Sequence, residues 1–232
     1  MELSFSFKPC ESMAGGVRPA IMLVLICALV LPVLCVYPFY SDIDIHHCIA
    51  IELIRATDLP YRSTFVANLP GIVDIHLLAI MLFGTSVLGF RLFEIMFQVL
   101  TVLTLYRVSR LWFSGAPAIL GCFTYAVMYV HGPANYLGHP DCFAVLPLLF
   151  GVGALILAFR SHTVAGLSSV SSRRILLLVA GMAYGTATCF RPTFGLMLFL
   201  PIVFLFDPRR KMGRRSFYVT LLGFTIAVAV CR

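Results

Sequence analysis

Charge is what this sequence has least of. Asp, Glu, Lys and Arg make up 12% of its residues and hydrophobic residues 60%, whereas about a quarter of an ordinary soluble domain is charged. Bulk water is therefore not its solvent. The apolar residues come in long blocks separated by short charged stretches, as they do in a chain surrounded by lipid. Zinc-site patterns are missing too: the eight cysteines include no CxxC pair, and no Cys/His grouping has ligand spacing. Cys27, Cys35, Cys122, Cys189 and Cys231 lie in or beside apolar blocks and read as small core residues. Cys48 and Cys142 fall on the outer side of the topology below, where a disulfide is conceivable, though no spacing calls for one. The formal charge is +7, yet no Lys/Arg cluster is interleaved with aromatics on a soluble segment. Nucleic acid is therefore excluded as a partner.

The apolar blocks place spans at about 18–37, 87–106, 116–133, 142–159, 175–190, 193–206 and 216–231, several of them shorter than the ~20 residues of a perpendicular helix. The expected fold class is all-α, a polytopic transmembrane bundle of about seven spans. Pro147 and Pro201 lie inside apolar blocks, which membrane helices tolerate when neighbours satisfy the freed carbonyls. With the N-terminus inside, cytoplasmic segments hold Lys8, Arg18, Arg107, Arg110, Arg160, Arg173, Arg174, Arg209, Arg210, Lys211, Arg214 and Arg215, twelve of the seventeen basic residues. Asp42, Asp44, Glu52, Asp58, Asp74 and Asp141 all fall outside, so the two signs separate as positive residues retained in the cytoplasm require. Ile72–Phe83 is apolar, but at about 12 residues and opening on Asp74 and His76 it is too short to span and reads as an interfacial helix. The first apolar run, about 19 residues, exceeds the 7–15 of a signal peptide and reads as an uncleaved helix. The chain stops within an apolar block at Cys231–Arg232, so residues 1–232 are expected to be the N-terminal transmembrane region of a longer enzyme.

Residues 38–89 form the first outer loop, far longer than a helix connection requires. It opens Tyr40-Ser41-Asp42-Ile43-Asp44-Ile45-His46-His47, and Ile45, Ile49, Leu53 and Ala56 then recur at helical spacing, predicting an amphipathic helix along the bilayer. Two carboxylates spaced Asp-x-Asp can take a proton from an acceptor hydroxyl, hold a divalent cation or cap a helix. Ser41 or Asp42 is a normal N-cap, and an acid in the first turn is favoured by ~0.3–1 kcal/mol. The cap and the catalytic role are compatible. His46, His47, His76, His131 and His139 also lie outside, but their spacings match no metal motif, and interfacial polar residues explain them. A divalent cation is the one cofactor left open. Arg91 and Glu94 lie three apart on one face of the second span and are expected to pair.

Asp42-Ile43-Asp44, Leu59-Pro60-Tyr61-Arg62, Asn68-Leu69-Pro70-Gly71, Leu82-Phe83-Gly84-Thr85-Ser86-Val87, Arg91 and the Leu103-to-Arg110 segment together resemble the first luminal loop and second span of GT-C glycosyltransferases. The likeness is to the bacterial branch that includes lipid A aminoarabinose transferases and protein O-mannosyltransferases, over about residues 20–160, and rests on the order and spacing of short motifs. It implies transfer of a sugar, with inversion, from a polyprenyl-phosphate donor to a lipid, glycan or protein acceptor at the outer face of a bacterial inner membrane. Asp42 matches the general base and Asp44 its acidic companion. A carboxylate partly desolvated at the headgroups can have its pKa raised towards the working pH. Arg191 matches a basic residue near the carrier phosphate, although a snorkelling side chain explains it equally. Tyr61, Asn68, His139 and Asp141 fall at substrate- and carrier-binding positions, and Asp141, opening a span, also suits the helix dipole. Asn68 and Arg62 depart from the acidic residues common there, which argues against a metal-dependent variant.

Two other readings are a transporter or flippase without catalysis, and an assembly subunit whose acids only cap. A transporter calls for ionisable residues near the midplane and paired broken helices, and the sequence has neither. The charge asymmetry yields a direct test. In a cysteine-free background, a cysteine at Thr64 should react with an impermeant reagent applied outside and one at Ser172 should not; the opposite labelling would reverse the topology.

Overall fold

The computed structural model describes residues 17–39, 41–56, 70–132, 137–160, 170–199 and 214–231. Among them every regular element is helical: α1 (Val17–Val30), continuing as a 3-10 turn (Leu31–Val36), α2 (Ser41–Ala56), α3 (Pro70–Phe83), α4 (Val87–Ser109), α5 (Gly115–His131), α6 (Pro140–Arg160), α7 (Val170–Phe190), a second 3-10 segment (Pro192–Leu198) and α8 (Arg214–Val230). Val87–Ser109 and Pro140–Phe159 are long and apolar enough to cross a membrane. Leu23–Val36, Pro70–Phe83, Gly115–His131 and Arg215–Val230 are apolar but shorter. Helix α7 has 21 residues, but its first turns carry Ser171, Ser172, Arg173 and Arg174.

Pairwise contacts fix the direction of each helix. Cys122, Tyr125 and Tyr129 of α5 hydrogen-bond Val102, Gln98 and Glu94 of α4 respectively, so α4 and α5 run antiparallel. Asp141 meets Arg191 and Gly151 meets Tyr184, making α6 and α7 antiparallel. Phe143 packs on Phe93 and Phe97, and Gly153 faces Val108, so α4 and α6 are parallel. Gly181 faces Thr220 and Gly185 faces Ala227, so α7 and α8 are parallel as well. One pole therefore collects the ends of α1, α5, α7 and α8 and the starts of α4 and α6. It is the pole assigned to the outside by charge. The expected sixth span, 193–206, falls between the parallel α7 and α8, and only its first residues are described. Its described part opens as a 3-10 turn rather than an α-helix, with Gly195 favouring α-helix poorly. Residues 200–213 lie outside the described residues.

The α7–α8 seam depends on small residues. A Cβ at Gly181 would lie 1.9 Å from the Thr220 carbonyl oxygen and one at Gly223 2.3 Å from that of Leu178. Backbone-to-backbone approach of this kind is how membrane helices associate when lipid offers no hydrophobic drive.

At the outer pole, α3 is 14 residues long, about 21 Å at 1.5 Å per residue and too short to cross the ~30 Å hydrocarbon core. It packs between α2, α4 and α7, burying Ile72, Val73, Ala79 and Ile80. Gly84, at φ 80°, turns the chain from α3 into α4, and the Ser86 hydroxyl caps α4 by accepting from Gly89 N at 3.0 Å. Helix α2 corrects its apolar stripe: Ile45 is 56% exposed, and the buried face is Ile43, His46, His47, Ile49, Ala50 and Leu53. The helix is rotated from the purely apolar expectation because both histidines find partners inside.

Replacing Gly181 by Val should destabilise the detergent-solubilised protein by more than the ~1–3 kcal/mol of ordinary overpacking, read as a lowered thermal midpoint. Gly121→Ala, with no atom within 4 Å of its added Cβ, should leave it unchanged. Equal midpoints for the two variants would refute the seam.

Candidate active site

A polar row runs down one face of α4: Arg91, Glu94, Gln98 and Thr101, all fully buried. Arg91 Nη1 donates to Glu94 Oε2 at 2.5 Å, so the expected pair is present, and it has further partners. Arg91 Nε donates to the Tyr37 carbonyl at 3.2 Å and Nη2 to the Pro38 carbonyl at 2.8 Å, with the Phe39 ring 5.5 Å from the guanidinium carbon. The second Glu94 oxygen accepts from the Tyr129 hydroxyl, and Gln98 Oε1 accepts from Tyr125 at 2.8 Å. Burying two charges is tolerable only with this degree of satisfaction. The result ties the backbone shortly before Asp42 to α4. The tyrosines and carbonyls are absent from the sequence reading. Tyr125 and Tyr129, four apart and facing Glu94 and Gln98, also four apart, were the available signal.

The turn before α6 brings the remaining parts together. Gly138, at φ 75°, approaches Ile43 so closely that an added Cβ would lie 3.1 Å from Ile43 Cδ1 and 3.2 Å from Phe90. The residue between the two acids of Asp42-Ile43-Asp44 is thus seated on the residue before His139. From there Asp141, in the first turn of α6, receives Arg191 Nε at 2.9 Å, and His139 lies 3.3 Å from Asp141 and 3.1 Å from Arg191 Nη2. The His139-Pro140-Asp141 turn and Arg191, 52 positions beyond His139, form one partly exposed cluster because α6 and α7 are antiparallel.

Three histidines correct an expectation. His46, His47 and His76, read as interfacial, are buried at 6%, 6% and 0% exposure. His47 Nε2 lies 3.0 Å from the Thr85 carbonyl, which can only accept, so His47 carries its proton there. Its Nδ1, 3.2 Å from His76 Nδ1, then accepts from His76. His76 Nε2 is left as an acceptor with no partner among the described residues. Burial first, then any positive charge gained by the neighbouring His47 or His46 and that of Arg91, holds the His76 pKa well below its ordinary 6.5, keeping the ring neutral on α3. It stacks on Phe90 at 4.3 Å. The Nδ1–Nδ1 bond and the Thr85 bond fasten α2, which carries Asp42 and Asp44, to the α3–α4 turn.

Asp42 lies in the first turn of α2, its side chain outside the described residues, and Asp44 is exposed. Tyr61 and Asn68 fall outside the described residues altogether. Cys48 is exposed on α2 and Cys142 half-buried on α6, and no disulfide joins them. Among the described residues no group of three or more His, Cys, Asp or Glu side chains is arranged to hold a metal ion.

A bundle of apolar helices, with one buried ion pair and a carboxylate–guanidinium cluster gathered at one pole, defines a polytopic membrane protein with a polar site at its surface. Residues 75–232 match the dolichyl-phosphate-mannose-protein mannosyltransferase family, and the chain belongs to it. It is accordingly a membrane glycosyltransferase of the GT-C type, a class that takes sugar from polyprenyl-phosphate carriers. The match covers α4 to α8 and most of α3, but begins beyond Asp42 and Asp44. No curated protein and no solved structure matches the chain.

The buried pair should show the asymmetry of its class. Glu94→Leu, leaving Arg91 uncompensated, should cost ~3–5 kcal/mol, and Arg91→Met/Glu94→Leu should cost less than either single change. Additive losses in a double-mutant cycle of thermal or denaturant unfolding would show that the two side chains do not act as a pair.

Proposed function

We propose that the protein transfers a sugar, with inversion, from a polyprenyl-phosphate donor to an acceptor hydroxyl at the outer pole, with Asp42 as general base. The observation that carries this reading is the seat of Ile43 on Gly138, which brings the Asp42–Asp44 turn beside the His139–Asp141–Arg191 cluster. Residues 38–89 then serve as the loop that receives the acceptor, within an N-terminal transmembrane region whose N-terminus faces the cytoplasm of a bacterial cell. In the reaction, the acceptor oxygen attacks the anomeric carbon opposite the phosphate as Asp42 takes its proton. The bond from anomeric carbon to phosphate oxygen breaks, and the phosphate leaves with the electron pair. A phosphate leaves without a protein acid. Its growing charge is met by Arg191, whose guanidinium has five N–H donors, with Nη1 engaged by neither Asp141 nor His139 in the cluster. Asp141 and His139 hold that cation in place, as electrostatic stabilisation of a transition state requires. Asp44, exposed one residue beyond Ile43, is placed to orient the acceptor. Tyr61 and Asn68 are assigned to the same loop as substrate contacts on the family likeness alone.

Membranes expressing the complete gene, supplied with labelled sugar on a panel of polyprenyl-phosphate donors, provide the test. Asp42→Asn should abolish transfer, a loss of at least ~10²–10⁴-fold, while membrane insertion is unchanged, and Arg191→Ala should weaken transfer more than Arg191→Lys. Undiminished transfer by Asp42→Asn would remove Asp42 as base. Use of no donor by an inserted, folded wild-type protein would favour a transporter or assembly subunit.

A further inference from the structure

The α7–α8 seam continues one turn past its glycines. Gly185 faces Ala227, an added Cβ lying 2.7 Å from the Ala227 Cβ, and one helical turn further on each side stand Cys189 and Cys231. Cys231 extends α8 by the bond from its N to the Ala227 carbonyl at 3.1 Å, and Cys189 lies in the last turn of α7. The parallel register, carried one turn past Gly185 and Ala227, therefore sets Cys189 and Cys231 at facing positions of the seam. A Cβ at Gly71 of α3 would lie 2.7 Å from the Cys189 carbonyl oxygen, which fixes the pair at the outer pole. Cys189 is buried and Cys231 half-exposed.

We propose that Cys189 and Cys231 are a disulfide-forming pair that clamps the outer ends of α7 and α8. The side facing the cell exterior is where disulfides form and persist. Of the two thiols, the half-exposed Cys231 is the one a partner can reach. As a thiolate it attacks the disulfide of an oxidised thiol–disulfide oxidoreductase, forming a mixed disulfide and releasing one partner thiolate. Cys189, deprotonated, then attacks the Cys231 sulfur, forms the Cys189–Cys231 bond and releases the second partner thiolate. Two thiols are oxidised, one partner disulfide is reduced, and two protons pass to solvent. The clamp closes two residues before Arg191 and holds the helix end that presents it.

Full-length protein in native membranes, treated with the small oxidant diamide or with a reductant, denatured and alkylated with a polyethylene-glycol maleimide, reads the pair directly. Oxidation should protect two thiols, restored by reductant, with a peptide linking Cys189 to Cys231 in the mass spectrum. Cys189→Ser and Cys231→Ser should each abolish the protection while leaving the protein inserted. An unchanged count of reactive thiols, or protection that survives the double Ser variant, would overturn the proposal. Neither readout depends on glycosyl transfer.

Discussion

The constraint on which the outer pole depends is the neutralised charge inside α4. Arg91 and Glu94, fully buried in a chain with little charge, are tolerable only while every donor and acceptor is met. The groups that meet them come from three places: the carbonyls closing α1, the Tyr129 hydroxyl of α5, and the pair itself. Because two partners are backbone carbonyls of Tyr37 and Pro38, the cost of disrupting the pair would be borne by the chain leading into Asp42. A hydrophobic contact could hold the same elements together, but with far less directional preference. Electrostatic satisfaction thus converts into position.

A second fastening works without net charge. His47 and His76 meet through their Nδ1 atoms, with His47 tied to the Thr85 carbonyl, so α2 is held at its acidic end by Ile43 on Gly138 and one turn later by His47, which meets His76 of α3 and the Thr85 carbonyl of the α3–α4 turn. Helix α2 therefore presents Asp44 outward while its other face is fixed from two sides. The described site is thus positioned by side-chain ties to neighbouring backbone, of Arg91 to the Tyr37 and Pro38 carbonyls and of His47 to that of Thr85.

Much of this was legible in the sequence, and the parts that were not have physical reasons. Charge separation and block length gave the helices, their alternating directions and the short α3, because lipid imposes one-dimensional rules that composition obeys. The Arg91–Glu94 pair was legible because three-residue spacing is local. His139, Asp141 and Arg191 could each be marked, but their meeting depends on the α6–α7 register, which Gly151 against Tyr184 sets and no local pattern displays. The face of α2 was misassigned because apolarity was counted alone: a neutral histidine with a partner buries as readily as an isoleucine, and Ile45 was left outside. The glycines of the α7–α8 seam carry meaning only once their opposite carbonyls are known.

The shortness of several helices bears on the lipid itself. Helices α5 and α8 have 17 residues each, about 25 Å at 1.5 Å per residue against a hydrocarbon core of ~30 Å. A stretch that short is accommodated by thinning of the surrounding bilayer, at a fraction of a kcal/mol per Å. Helix α3, shorter still at 14 residues, stands at the same pole as Arg191 and Asp141, so a bilayer thinned to match these helices would be shallowest beside that cluster. The length of the helices would then set how far the acyl layer separates headgroup level from the protein's polar residues.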